Sequence, residues 1–164
     1  MIEYPYMPED GTILYVSADN EFMAAARAYA EQASLDKTMP NASLIVKDGV
    51  VIGRGANGST YHEENGCERV RLHMPSGQGY ELCEGCSPEN HGEPSAIRDA
   101  HENGVTDEDL DGAEIYLWGH WWCCEPCWGS MLDNGIRTVY LLEDSQKLFN
   151  KDHPDNIVGK QFLA

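Results

Sequence analysis

The sequence predicts an α/β fold, with a mainly parallel or mixed central sheet and helices on both of its faces. Three observations carry this: an alanine-rich stretch with helical apolar spacing at 21–33, two apolar runs joined by Asp48-Gly49, and helix and strand patterns that alternate from Pro94 to Leu142. Alternating strands and helices pack as a sheet covered on both sides. The 164 residues suit one domain, expected to span 1–164 with a cysteine-rich insertion at about 60–90.

Pro5, Pro8 and Gly11 precede a short β-like run from Ile13 to Val16. Asp19 or Asn20 can cap a helix over Glu21 to Ala33, where Phe22, Ala25, Ala26, Tyr29, Ala30 and Ala33 recur on one face. Ser43 to Lys47 and Val50 to Arg54 flank Asp48-Gly49, a strong hairpin signal. From Gly55 to Asn90 the chain is irregular and rich in Gly, Pro and Cys. A loop of that length in a small domain is functional or tied down. Pro94 fits the first turn of a helix reaching about Asn103, with Gly104 as its stop. Ala113 to Trp118 reads as a strand, Glu125 to Asn134 as a helix ending at Gly135, and Arg137 to Leu142 as a strand. A short element is expected at Ile157 to Leu163. Ligands of such sheets sit at the carboxyl ends of strands, where the next helices begin.

Eleven basic against 28 acidic residues give a net charge of −17. That field repels phosphate backbones, which argues against a partner of duplex DNA or long RNA but not against one small anion in a local pocket. No apolar run is long enough to span a membrane, and Met1-Ile2-Glu3-Tyr4-Pro5-Tyr6 lacks a signal-peptide layout, so the expected location is the cytoplasm.

The six cysteines are Cys67, Cys83, Cys86, Cys123, Cys124 and Cys127, and four of them form the C-x-x-C pairs 83/86 and 124/127. In a reducing compartment such thiols with nearby histidines read as metal ligands, with zinc the default. A zinc ribbon built from both pairs is disfavoured, because ribbon pairs stand about fifteen to twenty residues apart and here a helix and a strand intervene. The strongest constellation is His91-Gly92-Glu93 followed by Cys124-Glu125-Pro126-Cys127, an H-x-E and a C-x-x-C as in zinc-dependent nucleobase deaminases.

On these motifs, with HGEPSAI at 91–97, CCEPCWGSMLDNGI at 123–136 and GRGANGS at 53–59, the chain resembles the cytidine and deoxycytidylate deaminase superfamily, above all the phage and bacterial dCMP deaminases. The resemblance implies a three-layer α/β/α fold and hydrolysis of dCMP to dUMP plus ammonia. Cys124 and Cys127, three apart on a helix, point the same way, and two helix N-termini would favour the thiolates zinc needs. One imidazole and two thiolates leave a tetrahedral position open, as in catalytic zinc (Zn2+) sites. Glu93 is then the catalytic proton carrier rather than a ligand. Asn57 would bind the sugar, and the backbone at Gly92 the base. The family has Pro where Cys123 stands and often Ala where Gly92 stands, and its link before the cysteine pair is shorter than Trp118-Gly119-His120-Trp121-Trp122.

Cys67, Cys83 and Cys86 read as ligands of a second, structural zinc, with His73, His62, His120 or Cys123 as the fourth. Trp121 and Trp122 are core or pocket wall. Arg54, Arg69 and Arg71 are candidates for a nucleotide phosphate. By resemblance, the partners are a small nucleotide substrate, dCTP and dTTP effectors with Mg2+, and further copies of the chain in a homo-oligomer. The alternatives are a deaminase of a nucleoside or another nucleobase, and a zinc-stabilised binding module without catalysis.

Overall fold

Strands β1 (Thr12–Val16), β2 (Ala42–Lys47), β3 (Val50–Ala56), β4 (Glu114–Trp118) and β5 (Thr138–Leu142) form one sheet in the order β1-β5-β4-β2-β3. The structure, a computed structural model, describes residues 2–75 and 77–162. The helices are α1 (Glu21–Ala33), α2 (Thr60–Asn65), α3 (Glu68–Arg71), α4 (Gly92–Glu102), α5 (Asp107–Leu110), α6 (Glu125–Asp133) and α7 (Ser145–Phe149). β2 runs antiparallel to both β3 and β4, whereas β4–β5 and β5–β1 are parallel, so the sheet is mixed. The predicted hairpin turns at Asp48-Gly49, whose φ values of 49° and 79° are the positive pair that a two-residue turn of this kind requires.

Cross-strand partners share a face of the sheet. Leu44 pairs with Tyr116, and Tyr116 meets Phe22 of α1 at 5.2 Å between rings. Ile45 pairs with Ile115, and the neighbouring Ser43 reaches Glu93 of α4 at 3.3 Å. Helix α1 therefore covers one face and α4 the other, with α6 packed beside α4. This is the three-layer α/β/α arrangement expected.

Asn20 caps α1, its Oδ1 accepting from the Phe22 and Met23 amides at 3.0 Å each. The buried stripe of α1 is Met23, Ala26 and Ala30, while Ala25, assigned to the apolar face by periodicity, is exposed. Ala96, Ile97 and Ala100 of α4 and Cys127, Trp128 and Met131 of α6 complete the core on the opposite side. Each large side chain fully buried there contributes about 1.5–3 kcal/mol. At Gly55 a Cβ would stand 2.2 Å from the Ala96 amide nitrogen and 2.3 Å from the Gly92 carbonyl oxygen. The first turn of α4 lies directly on the β3 backbone, and only glycine permits that approach.

Several local features differ from expectation. β3 runs on to Ala56, and the following stretch holds α2, α3 and three 3-10 turns at Tyr80–Leu82, Glu84–Cys86 and Pro88–Asn90. Helices α5 and α7 join elements the periodicity did identify. Residues 157–162 form turns rather than an element, and Leu163, the end of that expectation, lies outside the described residues. Among the described residues, no helix is long and apolar enough to cross a membrane.

Candidate active site

The carboxyl end of β4 leads through residues 119–123 to the start of α6, and the 3-10 turns lead to the start of α4. Cys124 and His91 are the N-cap residues of α6 and α4, and neither side chain caps its own helix. Both are therefore free for other bonds. His91 Nδ1 lies 3.2 Å from Cys127 Sγ and 3.4 Å from Cys124 Sγ, and the two sulfurs are 3.0 Å apart. Two soft sulfurs and an imidazole nitrogen gathered this closely at two positive helix ends suit a tetrahedral zinc ion with one position open.

The electrostatics fit that use. The Cys124 thiol is lowered to about 5, chiefly through its hydrogen bond with Cys127 and, against the cost of burial, because His91 lies alongside. The same bond pushes the Cys127 thiol up. Burial and the negative Cys124 sulfur raise the Glu93 carboxyl, while His91 partly offsets them. Burial alone would lower the His91 pKa, but the Cys124 hydrogen bond and charge raise it. Glu93 is only 5% exposed, and the Ser43 hydroxyl donates to its Oε1 at 3.3 Å.

Of the other expected contacts, Asn57 lines the same hollow, whereas Gly92 is buried at the start of α4. Asn57 Oδ1 accepts from Ser34 Oγ (2.6 Å) and the Asn41 amide (2.9 Å), and its Nδ2 donates to the Met39 carbonyl at 2.9 Å. Its oxygen is thus committed internally, and one N–H remains free. A Cβ at Gly92 would press on Ser43 Oγ at 3.2 Å and Gly55 O at 3.3 Å, a physical reason for glycine in place of the family's alanine. Tyr80 packs edge-on against His91, ring centroids 4.9 Å apart. His120 lines this hollow, its Nδ1 accepting from the Trp121 and Trp122 amides, and burial with the nearby charges of His91, Lys151 and Arg69 lowers it to about 3. Nε2 therefore carries its single proton. Trp122 is pocket wall, whereas Trp121 packs toward Tyr4.

Cys67, Cys83 and Cys86 come together with His62, all four ligand atoms within 4.8 Å of one another. His62 Nε2 lies 3.3 Å from Cys83 Sγ and 3.4 Å from Cys86 Sγ, and Cys67 and Cys86 sulfurs are 3.5 Å apart. Gly85 lies beneath the His62 ring, where a Cβ would come within 2.5 Å of it. Of the four candidates for the last ligand, His62 is in place. His73 is exposed, and neither His120 nor the buried Cys123 belongs to either cluster. Among the described residues, buried His62 Nδ1 has no hydrogen-bond partner, and it faces the Asp36 carboxylate at 4.0 Å.

Of the three arginines, Arg69 lines the pocket, stacked over Tyr80 at 4.6 Å. Arg54 lies over Tyr29 on the far surface, and Arg71 pairs with Glu68. Sequence reading missed Ser43 and Tyr80, since a lone serine in a strand or a tyrosine in a loop carries no spacing signal.

Residues 16–143 match the family described as the cytidine and deoxycytidylate deaminase zinc-binding region, and the chain belongs to that family. ComE operon protein 2 of Bacillus subtilis is 32% identical over 146 residues, a match covering 85% of this chain and 64% of that protein's length. Among solved structures, the dCMP deaminase of cyanophage S-TIM5 in complex with dCMP and dUMP is 21% identical, with a TM-score of 0.47 and coverage of 76% of this chain and 82% of that one. Guanine deaminase from Bacillus subtilis is 21% identical, with a TM-score of 0.47 and coverage of 75% of this chain and 62% of that one.

Proposed function

We propose that the chain is a zinc-dependent hydrolytic deaminase of a cytosine nucleotide, converting dCMP and water to dUMP and ammonia. The observation that carries this reading is a buried carboxylate, Glu93, lining the same pocket as His91 and Cys124, which converge with Cys127 as a set of three metal-ligand candidates. Zinc held there supplies Lewis-acid chemistry that brings the pKa of a water to about 7. Glu93, oriented by Ser43, takes the water's proton and delivers it to N3 of the cytosine ring. As the oxygen bonds to C4, Glu93 is left free to take the second proton from that oxygen and pass it to the amine, so that the C4–N4 bond breaks, ammonia leaves and C4 keeps the oxygen as a carbonyl. The remaining N–H of Asn57 is free for the sugar, and the backbone at Gly92 for the base.

A phosphate is favoured by the basic groups at this pocket in a chain whose net charge is −17. Arg69 and the neutral His120 offer donors, and Lys151 lies near enough that, after burial, the Arg69 charge lowers its pKa. The cluster of His62, Cys67, Cys83 and Cys86 is read as a second, structural zinc site, because its four donors leave no position for substrate. Assembly as a homo-oligomer and control by dCTP and dTTP with Mg2+ belong to this reading through the family resemblance alone.

An ultraviolet assay of zinc-loaded protein across dCMP, CMP, deoxycytidine, dCTP and cytosine tests the proposal. dCMP should be converted with the highest kcat/KM. Arg69→Ala should raise KM for dCMP roughly tenfold or more, the worth of one hydrogen bond to a charged group, while leaving deoxycytidine unchanged. Conversion of none of the five would overturn the reading.

A further inference from the structure

Cys86 belongs to both clusters at once. Its sulfur lies among His62 and Cys67, while its carbonyl oxygen accepts from His91 Nε2 at 3.1 Å, on the ring edge opposite the Nδ1 that faces Cys124 and Cys127. With Nδ1 given to a metal, Nε2 carries the proton and donates to that carbonyl. Such outer hydrogen bonds fix the tautomer and orientation of a ligating imidazole.

The chain between the clusters is short and bonded throughout. The Cys86 amide donates to the Cys83 carbonyl at 3.0 Å, that of Asn90 to Ser87 at 2.8 Å and that of His91 to Pro88 at 3.1 Å. Tyr80, packed on His91, sits in the 3-10 turn that leads into Cys83. Yet among the described residues of 60–90 the only buried apolar side chains are Cys83 and Cys86, and Val70, Leu72 and Leu82 are exposed. Apolar burial therefore contributes little to holding this segment, which leaves its backbone bonds and whatever binds the four ligand atoms.

We infer that the metal at His62, Cys67, Cys83 and Cys86 is a positioning device for the catalytic metal, acting through the Cys86 carbonyl on His91, so that the two sites bind zinc cooperatively. This rests on the second-zinc reading above. Cys86 is thereby a positioning residue and not a catalytic one. Loss of an outer hydrogen bond of this kind costs about 10–100-fold in metal affinity. Because coupling in binding is reciprocal, emptying either site must weaken the other by the same factor.

Chelator competition on the full chain tests this without reference to turnover. Cys67→Ser, which touches only the second cluster, should empty that site and weaken zinc at His91, Cys124 and Cys127 about 10–100-fold, with a changed cobalt absorption spectrum at the catalytic site. Cys124→Ser should weaken the second site by an equal factor, and it decides the matter should Cys67→Ser fail to fold. Affinities unchanged within about twofold would overturn the coupling while sparing the second site. Wild-type protein that binds a single zinc per chain would instead overturn the second-zinc reading, and the inference with it.

Discussion

Glu93 sits one residue beyond the His91–Gly92 step, on the first turn of a helix whose N-cap is His91. That spacing turns its carboxylate toward the metal ligands while leaving it out of their cluster. Its environment is built for a proton carrier: burial and the Cys124 sulfur favour the neutral form, and the Ser43 hydroxyl steadies the charged one. Glu93→Gln keeps the size and the Ser43 contact but cannot accept a proton. It should retain full zinc content while kcat falls about 10²–10⁴-fold, the usual contribution of a positioned acid–base group. Zinc analysis beside steady-state kinetics checks both halves, and a non-catalytic binding module would show neither a wild-type rate nor any loss. The gathering of His91, Cys124 and Cys127, with Glu93 beside them, was legible in the sequence because H-x-E and C-x-x-C fix short-range spacing at helix starts. His62 was not, since nothing along the chain distinguishes it from His73 or His120. Only the fold brings it over Gly85.

Elements with regular apolar spacing or a decisive turn were legible: α1, the β2–β3 hairpin, β4, α6 and β5 all follow from such signals. The stretch from Gly55 to Asn90 was not, because its short turns are held by thiols, an imidazole and backbone bonds that leave no periodicity. Helix α5 did carry a signal, the reciprocal capping of Thr106 and Asp109, but it is four residues long and has no apolar stripe. The contact that most directly sets the site is that of α4 on β3. Gly55→Ala would place a methyl against the backbone at Gly92 and Ala96 and push His91 and Glu93 away from α6. Overpacking of this kind costs about 1–3 kcal/mol, read as a fall of several degrees in Tm. Zinc affinity at the catalytic site should fall with it, whereas a purely global defect would lower Tm alone.

Taken together, the molecule is two unequal parts in mechanical terms: a sheet with helices packed by apolar burial, and a segment from about 57 to 90 gathered around His62, Cys67, Cys83 and Cys86. Binding free energy at a site absent from the unfolded chain becomes folding free energy for that segment. Limited proteolysis after chelation should therefore cut within 60–90 first while the sheet stays protected, and added zinc should restore resistance; cleavage spread evenly along the chain would contradict this division. The strand order was not legible in the sequence, because the register that seats β4 between β2 and β5 is set by contacts distant along the chain. The sharpest single measurement is an anomalous difference map at the zinc edge from crystals of the metal-loaded protein. It should place a peak bound by His91 Nδ1 and the sulfurs of Cys124 and Cys127, with no other protein atom in contact and the Glu93 carboxylate adjacent. A map with no peak there, or with Glu93 or another side chain filling the fourth position, would contradict the account.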